Sequence, residues 1–217
     1  MIRIMLLSYL KRGLEESEHP VLVRELGDQQ ARAGQAGIAA YSAFLYGRYL
    51  CVYLEADRLH APFDWDGPLA ERLSVWPSLE GSRYSVRMTD IFHDGVPLDR
   101  RSWHEGRRIQ QRAGSILRLK PEMAASYIFY HYQLQEEEPQ RFNKTYLIGY
   151  YDNLIFSYQE LPAAIDELKP SGALQTRNSP HHEWQERMTL HFQPWENGSH
   201  WESMVHLCTV EPVNMLQ

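Results

Sequence analysis

Two stretches of this chain can be laid over each other at a constant offset of 105 residues. Tyr41-Ser-Ala-Phe-Leu-Tyr-Gly-Arg-Tyr-Leu-Cys-Val-Tyr53-Leu-Glu55 falls on Tyr146-Leu-Ile-Gly-Tyr-Tyr-Asp-Asn-Leu-Ile-Phe-Ser-Tyr158-Gln-Glu160. Tyr41, Tyr53 and Glu55 are matched by Tyr146, Tyr158 and Glu160. Such identities carry little alone, but the apolar positions and the turn coincide as well. Each stretch reads as two strands around a polar turn, Tyr46-Gly47-Arg48 in one and Tyr151-Asp152-Asn153 in the other. A chain that makes such a hairpin twice must complete two sheets and bury an apolar face of each, which leaves few architectures.

The flanking segments extend the echo. Residues 2–10 are apolar on both alternating sets, which suits a strand covered on both faces. Residues 14–34 carry Val21, Leu22 and Leu26 as a narrow stripe and predict a helix closed by Gly34 and Gly37. A short helix is expected over Pro68–Trp76 and a closing strand over Val86–Phe92. In the second half Ile116–Leu119 reads as a strand, a helix opens at Pro121 and ends before Pro139, and the hairpin follows. The closing strand recurs with Met204 over Met88, now 116 positions on, so residues 161–180 read as an insertion. Each half is then β-α-β-β-α-β, the ferredoxin-like order. The expected fold is α+β, two fused ferredoxin-like repeats forming a pseudo-dimeric α+β barrel in which one chain does the work of two subunits. The expected boundaries are a degenerate first repeat over 1–95, a basic linker over 96–112 and a second repeat over 113–212. The linker's five arginines suggest either a patch for an anion or, more simply, a solvated segment.

Bulk properties narrow the partners. The 217 residues are 43% hydrophobic and 23% charged, an ordinary globular balance. A net charge of −6 argues against nucleic acid. The two cysteines, Cys51 and Cys208, sit in apolar runs and read as buried thiols. The apolar start is interrupted by Arg3 and stopped by Lys11-Arg12, and no run approaches the ~20 apolar residues of a membrane span. A cytoplasmic protein with no membrane partner is expected.

Tyr127 and His131, four apart on the expected helix, share one face. A phenol and an imidazole there could converge on a polar pocket, since free imidazole titrates near pH 6.5; equally, the face could simply pack on a sheet. Tyr146 from the hairpin and Trp184 from a helical turn starting at His181-His182 are further candidates. An indole face suits the apolar side of a sugar ring, and 6 tryptophans with 13 tyrosines are many for this length. His181-His182 has no ligand spacing to make a metal site. Glu136-Glu137-Glu138 reads as a solvated helix end, and His93 and His206 as structural histidines.

These residues resemble the L-rhamnose mutarotase family. The second half carries the resemblance through Leu117-Arg-Leu-Lys-Pro-Glu122, Tyr127-x-x-x-His131, Tyr146 before Asn153-Leu-Ile-Phe156, Trp184-x-x-x-Met188 and Trp201-Glu-Ser-Met204-Val-His-Leu207. The first half shows it more faintly, through Gly37-Ile-Ala-Ala-Tyr41-Ser-Ala-Phe-Leu45 and Val86-Arg-Met88-Thr-Asp-Ile-Phe-His93. The resemblance implies a dimeric α+β barrel that interconverts the anomers of a deoxyhexose such as L-rhamnose, with no metal or organic cofactor. It implies His131 as proton donor and Tyr127, Tyr146 and Trp184 as sugar-binding residues. Gln185 stands where a second tryptophan is usual, and the first half lacks the Tyr-x-x-x-His spacing. A sugar-binding relative without catalysis, or a small-molecule oxidoreductase on the same scaffold, are the other readings.

Overall fold

The computed structural model describes residues 1–13, 19–57, 63–78, 81–138, 142–165 and 183–211. In chain order the first half gives β1 (Ile2–Tyr9), α1 (His19–Asp28), α2 (Gln30–Gln35), β2 (Ile38–Tyr46), β3 (Tyr49–Ala56), α3 (Gly67–Arg72), β4 (Val86–Arg87) and β5 (Thr89–His93). After α4 (Arg100–His104) come β6 (Gln111–Leu119), a single 3-10 turn over Pro121–Met123, α5 (Ala124–Glu137), β7 (Leu147–Tyr151) and β8 (Leu154–Leu161). The chain closes with α6 (Trp184–Thr189), β9 (Phe192–Gln193), β10 (Trp201–Ser203) and β11 (Val205–Val210). The helix expected over 14–34 is thus two helices, and its first residues, like Pro139, His181, His182 and most of the expected insertion, lie outside the described residues.

These elements form two compact units that do not follow chain order. One is Met1–Met88 with Pro97–His104 and Met204–Gln217; the other is Thr89–Val96 with Glu105–Ser203. The first unit's sheet runs β11-β2-β3-β1-β4 and the second's β10-β6-β8-β7-β5, with β9 also on β6. Every pairing of these strands is antiparallel. The closing strand expected over Val86–Phe92 is interrupted at Met88: β4 pairs with β1, whereas β5 pairs with β7 of the second sheet. The same happens at Met204, between β10 on β6 and β11 on β2. Both methionines are buried.

Local chemistry accounts for the elements. β1 is buried without a break from Ile4 to Ser8, which its two-sided apolar pattern required. α1 places Leu22 and Leu26, one turn apart, in the first unit's core. The hairpins have two-residue loops, Gly47-Arg48 between paired Tyr46 and Tyr49, and Asp152-Asn153 between paired Tyr151 and Leu154. Gly47 and Asp152 both take positive φ, 51° and 58°, as the first position of a twist-compatible hairpin loop demands.

The arginine-rich segment is more than a solvated linker. In the first unit Trp103 of α4 is buried, the Arg3 guanidinium lies 4.9 Å from its ring centre, and Arg100 and His104 bind the buried carboxylate of Glu55 at 3.1 and 3.0 Å. Burial alone would raise the Glu55 pKa; the hydrogen bonds and charges of His104 and Arg100 outweigh it and hold it below the usual carboxylate value. In the second unit Arg107 and Arg112 meet the equally buried Glu160. Each carboxylate also accepts the hydroxyl of the tyrosine two residues earlier, Tyr53 at 3.2 Å and Tyr158 at 2.9 Å.

The fold is therefore α+β with antiparallel sheets. The pseudo-dimeric barrel expected from the sequence is not what the ladders give: among the described residues each sheet is an open series with two edges. The reason is the strand change at the two methionines, which the alternation of side chains along a strand does not encode. Among the described residues no helix is long and apolar enough to cross a membrane.

Candidate functional site

All four sequence candidates line one cavity in the second unit, of about 560 Å³. Its base is α5. Pro121 opens the preceding 3-10 turn, where a missing N–H costs nothing, and the helix then buries Ala124, Tyr127, His131 and Leu134 along one stripe. That stripe packs with Leu117, Leu119, Ile148 and Ile155 of the sheet. The simple packing alternative thus also holds: Tyr127 is a core residue whose ring forms part of the cavity wall.

The Tyr127 and His131 rings lie 4.1 Å apart, tilted by 39°. Trp184, the first residue of α6, stands edge-on to His131 at 5.2 Å, and Phe92 of β5 does so at 6.0 Å. Tyr146 sits just ahead of β7 rather than within it, its ring 6.0 Å from Phe92. One turn of α6 contributes Trp184, Gln185, Met188 and Thr189, which share a helical face. His200 and Trp201 complete the wall at the start of β10.

The protonation of His131 follows from its partners. Nδ1 lies 2.9 Å from the Tyr127 carbonyl, which can only accept, so Nδ1 carries the hydrogen. Burial strips the imidazolium of water and moves the pKa from 6.5 to about 4, against the bond to the Tyr127 carbonyl and with the help of His191. At neutral pH the ring is uncharged and Nε2 is a bare lone pair with no hydrogen-bond partner among the described residues. Burial also raises the Tyr127 pKa well above its usual value, with the Tyr146 phenol acting in the same sense. Tyr146 is raised by burial too, opposed by its hydrogen bond with Ser157. The cavity wall therefore holds two protonated phenols and the unprotonated Nε2 of His131, with the His200 imidazole beside them. None of its lining residues is an acid, a lysine or an arginine.

Sequence reasoning did not find Phe92, Phe142, His200 or Trp201 as site residues. Phe92 lies on the strand that changes sheets, so its chain position pointed to the other half. Met188 and Gln185 were within reach of a helical-spacing argument from Trp184.

No family model matches the chain, and none of the curated proteins does. Two solved structures resemble it. A candidate monooxygenase from Lactobacillus acidophilus NCFM gives a TM-score of 0.44 at 9% identity, covering 98% of this chain and 97% of the other. An anthrone oxidase-like protein gives 0.45 at 9% identity, covering 97% and 92%. At those scores the likeness assigns no activity. The resemblance to L-rhamnose mutarotases read from the sequence is not upheld: no family model matches, and the two structures found carry the descriptions of a monooxygenase and an anthrone oxidase-like protein. The site agrees with the correction. A donor to the ring oxygen of a sugar must carry its proton near neutral pH, and His131 at a pKa of about 4 does not. The aldose-isomerase function falls with it, and the sugar-binding alternative gains no support.

Proposed function

We propose that the second unit is an enzyme site in which His131 acts as a general base on a small, flat, uncharged aromatic molecule. The observation that carries this reading is a neutral, buried imidazole in the wall of a largely apolar cavity, its Nδ1 hydrogen held by the Tyr127 carbonyl and its Nε2 without a hydrogen-bond partner among the described residues. A volume of this size suits a ligand of a few fused or linked rings. Trp184 and Phe92 offer ring edges and faces to it, and the absence of charged lining residues favours a neutral molecule. Nε2 takes an acidic C–H or O–H proton, and the phenols of Tyr127 and Tyr146 hydrogen-bond the oxygen on which the negative charge settles. Bulk water screens none of these interactions strongly in such a site.

The test is solvent-deuterium exchange at the activated C–H of aryl 1,3-diketones and related phenolic ketones, followed by NMR. Wild-type protein accelerates exchange, and His131→Gln lowers the rate about 10²–10⁴-fold with the fold intact by circular dichroism. Unchanged exchange in that variant, or no binding across the panel, removes the proposal. An oxygen electrode run alongside classifies the reaction: uptake that depends on His131 marks oxidation of the anion, and exchange without uptake marks proton transfer alone.

We also infer that the units are two copies of one β-α-β-β-α-β, ferredoxin-like element. Support comes from the strand orders β2-β3-β1-β4 and β7-β8-β6-β10, which match position for position once the exchanged edge strands are set aside. The paired Tyr-x-Glu clusters and the two positive-φ loop residues, each 105 positions apart, support it further.

A further inference from the structure

Between β9 and β10, residues 194–200 are all half-buried or exposed except Trp195, yet their polar groups are tied down one by one. The Trp195 N–H donates to Ser199 O at 2.8 Å, and the Gly198 N–H returns to Trp195 O at 2.9 Å. The Trp195 indole N–H donates to His200 O at 3.0 Å, and the Arg118 guanidinium lies 4.0 Å from the indole ring centre. Asn197 Oδ1 accepts the Ser199 N–H at 3.0 Å, and Asn197 Nδ2 donates to Glu202 Oε1 at 2.5 Å. The Ser199 hydroxyl lies within reach of both Asn197 Oδ1 and Glu202 Oε1 and gives its one hydrogen to either. A surface loop fastened this thoroughly holds something in place.

What the loop delivers to the cavity is His200 and Trp201. Trp201 opens β10 opposite Leu117, so its side chain leaves the sheet on the same face as that core residue. It nevertheless stays 37% exposed, whereas Tyr127 and His131 are almost wholly covered. Phe192 stands between the two ends. Its ring centre is 6.2 Å from that of Tyr127 and 6.3 Å from that of Trp201, which it meets edge-on at 79°. The cavity thus runs from a closed end at α5 to an open end at β10, about one ring further on. An indole left partly in water there is a ready surface for a flat ligand, because contact removes apolar area of both from solvent.

We propose that Trp201 forms an outer subsite for the second ring of a two-ring aromatic ligand, and that Asn197 and Glu202 are positioning residues that fix the indole through the loop. One ring of the ligand lies at the closed end beside Tyr127 and His131, and the other rests against Trp201. The Asn197–Glu202 bond ties the tip of the loop to the residue after Trp201, so the indole keeps its place when the subsite is empty. The proposal rests on the aromatic-cavity reading for its ligand, and not on His131 acting as a base.

Dibenzoylmethane and benzoylacetone share a 1,3-diketone and differ by the second ring, and calorimetry with the full chain gives their dissociation constants. Dibenzoylmethane is expected to bind about ten-fold more tightly, the effect of one ring–ring contact and the area it buries. Trp201→Ala and Glu202→Ala bring the two constants within about two-fold of each other. Glu202→Gln, whose amide oxygen still accepts from Asn197 Nδ2, keeps the difference. A second measurement needs no ligand. In protein carrying 5-fluorotryptophan, the Trp201 fluorine resonance is assigned by its loss in Trp201→Phe. It moves towards its position in urea in Glu202→Ala and in Asn197→Asp, which sets a second carboxylate beside Glu202, and stays in place in Glu202→Gln. Equal affinities in wild type, a two-ring preference that survives in Trp201→Ala, or a Trp201 resonance unmoved in Glu202→Ala overturns the proposal. Binding of neither diketone removes it together with the cavity reading, whereas a two-ring preference without deuterium exchange removes only the role of His131 as base.

Discussion

A carbonyl decides the chemistry of His131. By holding Nδ1–H, Tyr127 O turns the other nitrogen into an acceptor, and burial keeps the ring neutral. The cost of that arrangement appears as a pH dependence of stability. In the unfolded chain the imidazole titrates near 6.5; in the folded protein its pKa is about 4. The folded state thus binds fewer protons between these values. Its contribution is complete above about pH 6.5 and is lost as pH falls towards 4, a total on the order of 3 kcal/mol. Urea unfolding at pH 7 and pH 5 checks this: the drop in stability in wild type should exceed that in His131→Gln by about 2 kcal/mol. An equal drop in both would mean that the imidazole is not desolvated. Activity on the proposed aromatic substrates, by the same titration, stays level from pH 7 to 5 as far as the base is concerned and falls below about pH 4. A proton donor in the sense of the mutarotase reading would show the reverse limb.

Hairpins and helices with local signals were legible in the sequence, because their causes are local. Gly47 needs its positive φ, and an added Cβ meets nothing within 4 Å, so Gly47→Ala tests the backbone alone and should cost about 1 kcal/mol in chemical unfolding. The Tyr127–His131 face was legible for the same reason, as a four-residue spacing that survives in any helix. The arginine-rich connection was not. It has no apolar period, so nothing in it says that Arg100 and Arg107 end on carboxylates buried at β3 and β8. Those carboxylates are far away in sequence and look, in isolation, like ordinary strand-end acids. Removing Arg107 takes away the closest ion pair of the 4%-exposed Glu160, so Arg107→Ala should cost about 3 kcal/mol. Arg101→Ala, exposed on the same connection, should stay within about 0.5 kcal/mol. Comparable losses for both would return the segment to the solvated linker that its composition suggested.

Strand exchange at Met88 and Met204 makes the division of the chain in sequence differ from its division in space. Cutting near residues 95 and 113 follows the boundaries expected from the sequence, yet it deprives one sheet of β11 and gives the other no β5. A fragment covering 1–95 then has the β2 edge bare over Tyr41–Leu45, an apolar row of unpaired backbone groups that invites association with other chains. It also lacks the Arg100 and His104 partners of buried Glu55. Covalent linkage couples the stabilities of the units, because the first unit takes α4 and β11 from chain that lies within and beyond the second. The intact chain should therefore unfold in one cooperative transition, with tryptophan fluorescence and far-UV circular dichroism giving coincident curves. The 1–95 fragment alone should aggregate or remain unfolded by circular dichroism. A monomeric, cooperatively folded 1–95 would show that β11 and α4 are dispensable additions, and that this sheet can form unaided.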